Sequence, residues 1–302
     1  MKIEDVALFE RIASLGSVSA AGRALGLSAT IASDRLARLE RDLGCTLARR
    51  TTRKLTLTDE GESFLVRARE LMALYEGARE SVGVRASVIS GTVHLTAPAY
   101  FGRLFLLPVL EQFLDTHPAV NLKISLGDNV LDYIGAGVDV ALRIGSMPDS
   151  SFKAQKLAGN DRVLCATPGF VARHGVPKDP EDLSHLPCIV LGGEDVWRFR
   201  RGDVHAQVAV RPRLSTDSAE VVKSAVLAGL GIAERSLWDV RTDLAEGRLI
   251  RMLPEVEIDT DMAIWLVYPP GRYRSRASRA LSEVLACEIP RLLSEALGLP
   301  GG

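Results

Sequence analysis

Between residues 17 and 57 the chain carries two short helical patterns joined by one tight turn, and few folds accept that spacing. The run Ser17-Val18-Ser19-Ala20-Ala21-Gly22-Arg23-Ala24-Leu25-Gly26-Leu27-Ser28 supplies a capping serine, small residues for close packing, a glycine for the turn and a second capping serine. Either Ser17 or Ser19 can cap the first of these helices, and Ser28 caps the next. Along the next helix Ala32, Leu36, Leu39 and Leu43 follow at steps of 4, 3 and 4, which makes one buried stripe. Thr30, Ser33, Asp34, Ala37, Arg38 and Arg41 are left facing outward, short-chained near the helix start and cationic further on.

Arg49-Arg50-Thr51-Thr52-Arg53-Lys54 follows, and then Leu55-Thr56-Leu57, which alternates like a short strand. This order is that of a helix-turn-helix with a basic wing, whose second helix enters the major groove of double-stranded DNA. The candidate DNA contacts are Ser19, Ser28, Ala29, Thr30, Ser33, Asp34 and Arg38 on the helices, with Arg50, Thr51, Thr52 and Arg53 on the wing. An amphipathic helix with a solvated face would share the pattern of residues 29–43. The capped helix before it and the cations after it separate the two readings.

Charge is distributed to match. The whole chain of 302 residues has a net charge of only −1. Residues 23–56 hold eight Lys/Arg against three acidic side chains, whereas residues 91–302 hold 23 basic and 26 acidic ones. A basic head on a slightly acidic body suits one module that touches DNA and one that does other work. Cys45, Cys165, Cys188 and Cys287 are scattered without a CxxC pair, so neither a metal site nor a disulfide framework is expected. No apolar run approaches a membrane span, and Glu4-Asp5 stands where a secretion signal would need cations. The sequence is accordingly read as cytoplasmic, without a membrane partner.

Thr58 followed by Asp59 and Glu60 starts a long helix expected to reach about residue 86. Its Phe64, Ala68, Leu71, Tyr75, Ala78 and Val82 are spaced 4, 3, 4, 3, 4, a heptad seam that suits pairing with a second copy. Packing of this seam on its own domain is the competing reading. From Gly91 strands alternate with helices: strands over 92–97, 121–126 and 138–144, helices over 104–114 and 130–135. The pattern restarts after Gly159 with strands over 163–167, 188–191, 204–214 and 231–233, and a helix over 219–228. A last strand covers 262–268 and a last helix 278–297. This predicts parallel sheets with helices on both faces, in two α/β halves with a cleft between them. The expected organisation is a DNA-binding domain (1–58), a linker helix (59–90) and an α/β domain (91–302). Within the last, one half comprises 91–160 and 269–302 and the other 161–268.

Ligands of open α/β sheets collect beyond the C-terminal strand ends. That rule selects Thr96, Tyr100 and Phe101 after the first strand, Asp128 after the second, and Thr216 and Asp217 before a helix. Arg143, on an otherwise apolar strand, can receive a carboxylate or pair with Asp128 or Asp139. Backbone N–H groups near Tyr100 to Leu104 favour a ligand bearing a carboxylate.

Taken together, these residues resemble the LysR-type transcriptional regulators over essentially the whole chain. The resemblance is carried by Phe9 and Gly16-Ser17-Val18-Ser19-Ala20-Ala21 through Leu25-Gly26-Leu27-Ser28, Leu39-Glu40, Leu43-Gly44, Arg49-Arg50-Thr51 and Leu57-Thr58-Asp59-Glu60-Gly61. Further on, Thr96-Ala97-Pro98, Arg143-Ile144-Gly145 and Ala228-Gly229-Leu230-Gly231-Ile232 are similar to the family's effector domain. The resemblance implies a winged helix-turn-helix, a linker-helix dimer and two Rossmann-like subdomains shaped like a periplasmic binding protein. It also implies assembly as a homodimer or homotetramer, an interrupted inverted repeat in the DNA, and a small-molecule effector between the subdomains. No cofactor is implied.

Two departures matter. Family members commonly carry Gln or a similar polar residue where this chain has Ala29, and Arg where it has Asp34. A groove-facing carboxylate repels phosphates but can accept a hydrogen bond from cytosine N4, a contact worth roughly 1–3 kcal/mol of discrimination. Glu234-Arg235 stands where many relatives have an apolar residue and proline. Two other readings compete. One is a solute-binding or enzymatic α/β protein whose N-terminal helices only dimerise, which lacks support from any Gly-rich phosphate loop, G-x-S-x-G elbow or His/Asp/Ser constellation. The other is redox control through Cys165 and Cys188.

Overall fold

The computed structural model describes residues 1–50, 55–81, 88–127, 138–146, 153–268 and 274–299. The head is built from α1 (Ile3–Leu15), α2 (Val18–Ala24), α3 (Ala29–Leu43), β1 (Ala48–Arg50), β2 (Leu55–Leu57) and the long α4 (Asp59–Ser81). Gly16 ends α1 at φ 63°, Ser17 accepts from the Ala20 N–H to start α2, and Ser28 accepts from the Ile31 N–H to start α3. Gly22 is buried where α2 meets α3: a Cβ there would lie 2.9 Å from the Ala32 Cβ, so glycine permits the close approach. Val6, Phe9, Ile12, Ala21, Leu36 and Leu39 fill the head core.

The junction of head and long helix is tight. Thr58 donates from its hydroxyl to the Thr46 carbonyl (2.6 Å) and from its N–H to the Leu47 carbonyl (3.1 Å), while its Oγ1 accepts from the Gly61 N–H (3.0 Å). A Cβ on Gly61 would collide with the Leu47 carbonyl oxygen.

The seam expected along this helix divides. Phe64 lies 5.5 Å from the Phe9 ring and Ala68 is fully buried in the head core, so both pack within the domain. This corrects their assignment to a dimer seam: identical spacing serves either partner, and α1 was within reach. Leu71, Tyr75 and Ala78 remain exposed, and Leu74 joins them at 54% exposure; Val82 lies outside the described residues.

The body contains β3 (Gly91–Ala97), α5 (Ala99–Phe101) running through a π-helical segment (Gly102–Leu106) into α6 (Leu107–Thr116), then β4 (Val120–Leu126), β5 (Val140–Gly145) and β6 (Lys153–Gly159). The chain then crosses into β7 (Arg162–Ala166), α7 (Pro168–His174), a 3-10 turn (Pro180–His185), β8 (Pro187–Leu191), β9 (Val196–Arg201), β10 (Val204–Ala209), β11 (Arg211–Thr216) and α8 (Ala219–Leu227). It continues with β12 (Ile232–Ser236), α9 (Leu237–Ala245), β13 (Ile250–Met252) and β14 (Glu257–Ile258), and returns through β15 (Ala263–Tyr268) to α10 (Arg276–Leu297).

Two five-stranded sheets result, ordered β4-β3-β5-β15-β6 and β11-β8-β12-β7-β13. In each, four strands run one way and one, β15 or β7, runs opposite, so the sheets are mixed rather than purely parallel. β15 pairs with β5 and β6, which places it in the first half. The second crossing therefore lies at 259–262, not near 268 as the apolar run suggested. The expected single strand 204–214 is two strands in different sheets, with the Val210 N–H donating to the Asp195 carbonyl between them. The helix expected over 130–135 lies outside the described residues. Among the described residues, no helix is long and apolar enough to cross a membrane.

Candidate nucleic-acid interface and ligand cleft

Helix α3 turns Ala32, Leu36 and Leu39 into the head core and leaves Ala29, Thr30, Asp34, Ala37 and Arg41 exposed. Ser28 is also exposed while capping the helix, and Ser19 is exposed on α2. Ser33 turns its hydroxyl back to the Ala29 carbonyl (2.9 Å). Small residues at the N-terminal turn let the backbone come near base edges, and Asp34 presents an acceptor among them. Ile31, 47% exposed, adds an apolar contact suited to a thymine methyl that the sequence reading passed over. Its signal was present: an isoleucine off the buried stripe of an otherwise polar helix face.

Arg38 behaves differently from its sequence assignment. Its guanidinium forms a two-pronged ion pair with Asp5 of α1, at 2.8 Å from Nε and 2.5 Å from a terminal nitrogen. The Asp5 carboxylate is fully buried, and its hydrogen bond holds the Arg38 guanidinium above its ordinary pKa. Arg38 therefore fastens α3 to α1, a role that helical projection of α3 alone had no means to reveal.

Beside α3, β1 and β2 form an antiparallel wing with Arg49 opposite Thr56, both exposed. Glu40 accepts from the Leu47 and Ala48 N–H groups (2.8 and 3.2 Å), and Asp42 pairs with the N-terminal amine (2.7 Å). These acids are thus engaged elsewhere than with Arg49. The Arg50 side chain, Thr51, Thr52 and Arg53 lie outside the described residues.

In the body, the candidate cleft residues separate. Thr96 is buried on the sheet face that carries His94, and its hydroxyl has no hydrogen-bond partner among the described residues. Phe101 is 1% exposed and packs against Phe105 (4.8 Å) and Trp238 (5.2 Å), so it belongs to the core of the first half and is withdrawn as a ligand contact. One residue before it on the same helical turn, Tyr100 meets the second half with a polar contact, its oxygen accepting from Lys223 Nζ (3.0 Å). Thr216 ends β11 and accepts from the Ser218 N–H (3.2 Å), Ser218 caps α8, and Asp217 is exposed. The structure thus brings Tyr100 and the helix that follows Thr216 and Asp217 to one seam. Arg143 is half-buried on β5 opposite Trp265 and donates to the Leu142 carbonyl (3.3 Å); Asp139 accepts from the His94 N–H (2.8 Å). Asp128 lies outside the described residues.

Glu234 and Arg235 are both engaged. Arg162 donates to Glu234 (2.8 Å) and to Ser236 (3.1 Å), and Arg235 pairs with Asp239 (2.5 Å). Cys165 and Cys188 sit in different apolar clusters, and burial pushes both thiols up to about 12. Protonated buried thiols are poor nucleophiles, which speaks against redox control through this pair.

Comparison with known proteins gives these features a context. Residues 3–62 match the domain described as "Bacterial regulatory helix-turn-helix protein, lysR family", and residues 86–289 match the "LysR substrate binding domain". The chain is 34% identical over 295 residues to the probable HTH-type transcriptional regulator LtrA of Klebsiella pneumoniae, covering 96% of each chain. It is also 34% identical over 270 residues to the HTH-type transcriptional regulator DmlR of Escherichia coli (strain K12), covering 88% of this chain and 87% of the relative. Among solved structures, the regulator CrgA of Neisseria meningitidis superposes with a TM-score of 0.56 at 25% identity, covering 98% of this chain and 99% of that one. Full-length AphB of Vibrio cholerae shares the fold with a TM-score of 0.59 at 23% identity, covering 95% of this chain and 99% of that one.

Proposed function

The chain belongs to the LysR family of helix-turn-helix transcriptional regulators, and we propose that it reads its operator through the N-terminal face of α3 and the wing. The observation that carries this reading is the exposed, small-residue face Ala29, Thr30 and Asp34, on a helix fastened to α1 further along by the Arg38–Asp5 pair. Ser19, Ser28, Ser33, Arg50, Thr51, Thr52 and Arg53 complete the assigned DNA contacts. With Arg38 committed to Asp5, phosphate attraction falls mainly to the wing, where each engaged cation adds about 0.9 to the magnitude of the salt slope.

A second copy pairs along Leu71, Leu74, Tyr75 and Ala78 of α4, an exposed apolar stripe at 3-1-3 spacing. The effector occupies the cleft between the two halves, beside Thr96, Tyr100, Thr216 and Asp217, with Arg143 and Asp128 as further lining. A carboxylate-bearing small molecule suits it, and its arrival changes the spacing of the two heads on an interrupted inverted repeat. The assembly is a homodimer or a tetramer of such pairs.

Footprinting on the DNA that flanks the protein's own gene is expected to show symmetric protection, with half-sites one or more helical turns (about 34–36 Å each) apart. Absence of protection on any such DNA would sink the reading. In a sequence-selection assay Asp34→Arg is expected to raise general affinity and change the preferred half-site; no change in either makes Asp34 a bystander.

A further inference from the structure

Among the described residues, three kinds of contact join the two halves around the turn after β3, besides a hydrogen bond from Arg241 of α9 to the Ala296 carbonyl of α10 (3.2 Å). The first is aromatic: Trp238 of α9 lies 5.2 Å from Phe101 and 5.4 Å from Phe105. The ring packing is broad and apolar and sets no precise angle, while the Trp238 indole N–H donates to Asn160 Oδ1 (2.9 Å) where the chain crosses between the halves. The second is the Arg103–Glu220 pair at 3.1 Å, whose side chains are both more than half exposed and contribute little. The third is Tyr100–Lys223, a partly buried, directional bond that ties the turn after β3 to α8.

Lys223 projects from α8 with its side chain 17% exposed. Its ammonium lies 2.7 Å from the Asp239 backbone carbonyl, 3.1 Å from the Asp239 carboxylate, 3.1 Å from the Asp243 carboxylate and 3.0 Å from the Tyr100 oxygen. Asp239 in turn holds Arg235, and Asp243 holds Arg248 at 2.7 Å. Burial pulls the Lys223 ammonium down, but Tyr100, Asp239 and Asp243 outweigh it and keep the group charged, above its ordinary pKa. The acids fasten the lysine to α9 of its own half. Tyr100 is the ligand that comes from the other half, at the turn directly after β3.

An ammonium has three hydrogens and no acceptor. The fourth contact is therefore not needed to satisfy the lysine, whose remaining acceptors all lie within its own half. Seen from Tyr100 the position is different, because the phenol gains a charge-assisted partner that fixes its oxygen and leaves its own hydrogen for another acceptor.

We propose that Lys223 is a positioning residue that, through Tyr100, couples the turn after β3 to α8, so that the two halves answer an occupant of the cleft as one unit. What the coupling serves rests on the cleft being the effector site, whereas the coupling itself exists in the chain alone. Failure of one is therefore separable from failure of the other.

Hydrogen–deuterium exchange of the full chain, without DNA or added ligand, tests it. Tyr100→Phe keeps the ring beside Trp238 and leaves the lysine its acidic partners, so the melting temperature is expected to stay within about 2 °C. Amides of residues 99–106 and of α8 are both expected to exchange about tenfold faster, the size that loss of a hydrogen bond to a charged group implies. Lys223→Met is expected to accelerate the same two segments, and adding Tyr100→Phe to it is expected to add nothing there. Acceleration confined to residues 99–106, or effects of the two substitutions that simply add, would overturn the coupling. Should Lys223→Met fail to fold, the behaviour of α8 in Tyr100→Phe decides alone.

Discussion

The two halves of the body repeat one strand order and are sealed by different chemistry. In the first, the π-helical segment, α6 and α10 cover the sheet with Phe105, Val109, Phe113, Leu281, Leu285 and Ile289, an almost wholly apolar core. In the second, α9 carries Asp239 and Asp243 inward, where they meet Arg235, Lys223 and Arg248. An apolar core accepts many side-chain arrangements of similar volume, whereas a buried ionic cluster is satisfied by few. The half that follows its own strands with charge is thus the one whose helix positions are most narrowly defined.

The strongest way to break this contrast is Asp239→Leu, which leaves the buried Arg235 guanidinium without its carboxylate. A loss of about 3–5 kcal/mol is expected in urea unfolding, and the double variant Arg235→Met/Asp239→Leu is expected to regain most of it. Leu285→Ala probes the other half, where removal of a fully buried side chain is expected to cost about 3 kcal/mol by cavity formation, with no rescue by a charge-matched partner.

Acid sharpens the comparison further. Burial would raise the Asp243 carboxyl, but Arg248 and Lys223 prevail and hold it below its ordinary value of 3.8. A carboxylate with a lowered folded pKa contributes stability above the unfolded value and loses it as pH falls through the folded one. Exchange protection of α9 is accordingly expected to weaken below about pH 3.8 through this group, and Asp243→Asn to flatten that dependence. The smallest effect belongs to the surface: Arg200→Ala, which breaks an exposed pair with Glu257, is expected to leave the melting temperature unchanged.

Legibility followed locality. The head could be read because caps, turn glycines and the buried stripe of α3 are short-range signals, and Ser17, Gly26 and Ser28 stand where the sequence placed them. Arg38 and Phe64 escaped, since a helix projection shows which face a side chain is on and not which neighbour waits there. In the body, β15 was found as a strand but assigned to the wrong half, because its partners β5 and β6 are more than a hundred residues earlier. Of the cleft, Tyr100 was legible as a strand-end residue; Lys223, arriving from a separate helix, was not.

The Thr58–Gly61 junction bears on how a signal would leave the body. With Thr58 bonded to Thr46 and Leu47, and no room for even a methyl at Gly61, α4 is fastened where it enters the head to the segment that follows α3. A rotation of α4 about its axis would therefore bear first on residues 46 and 47, just beyond the end of α3, as torque through a keyed shaft.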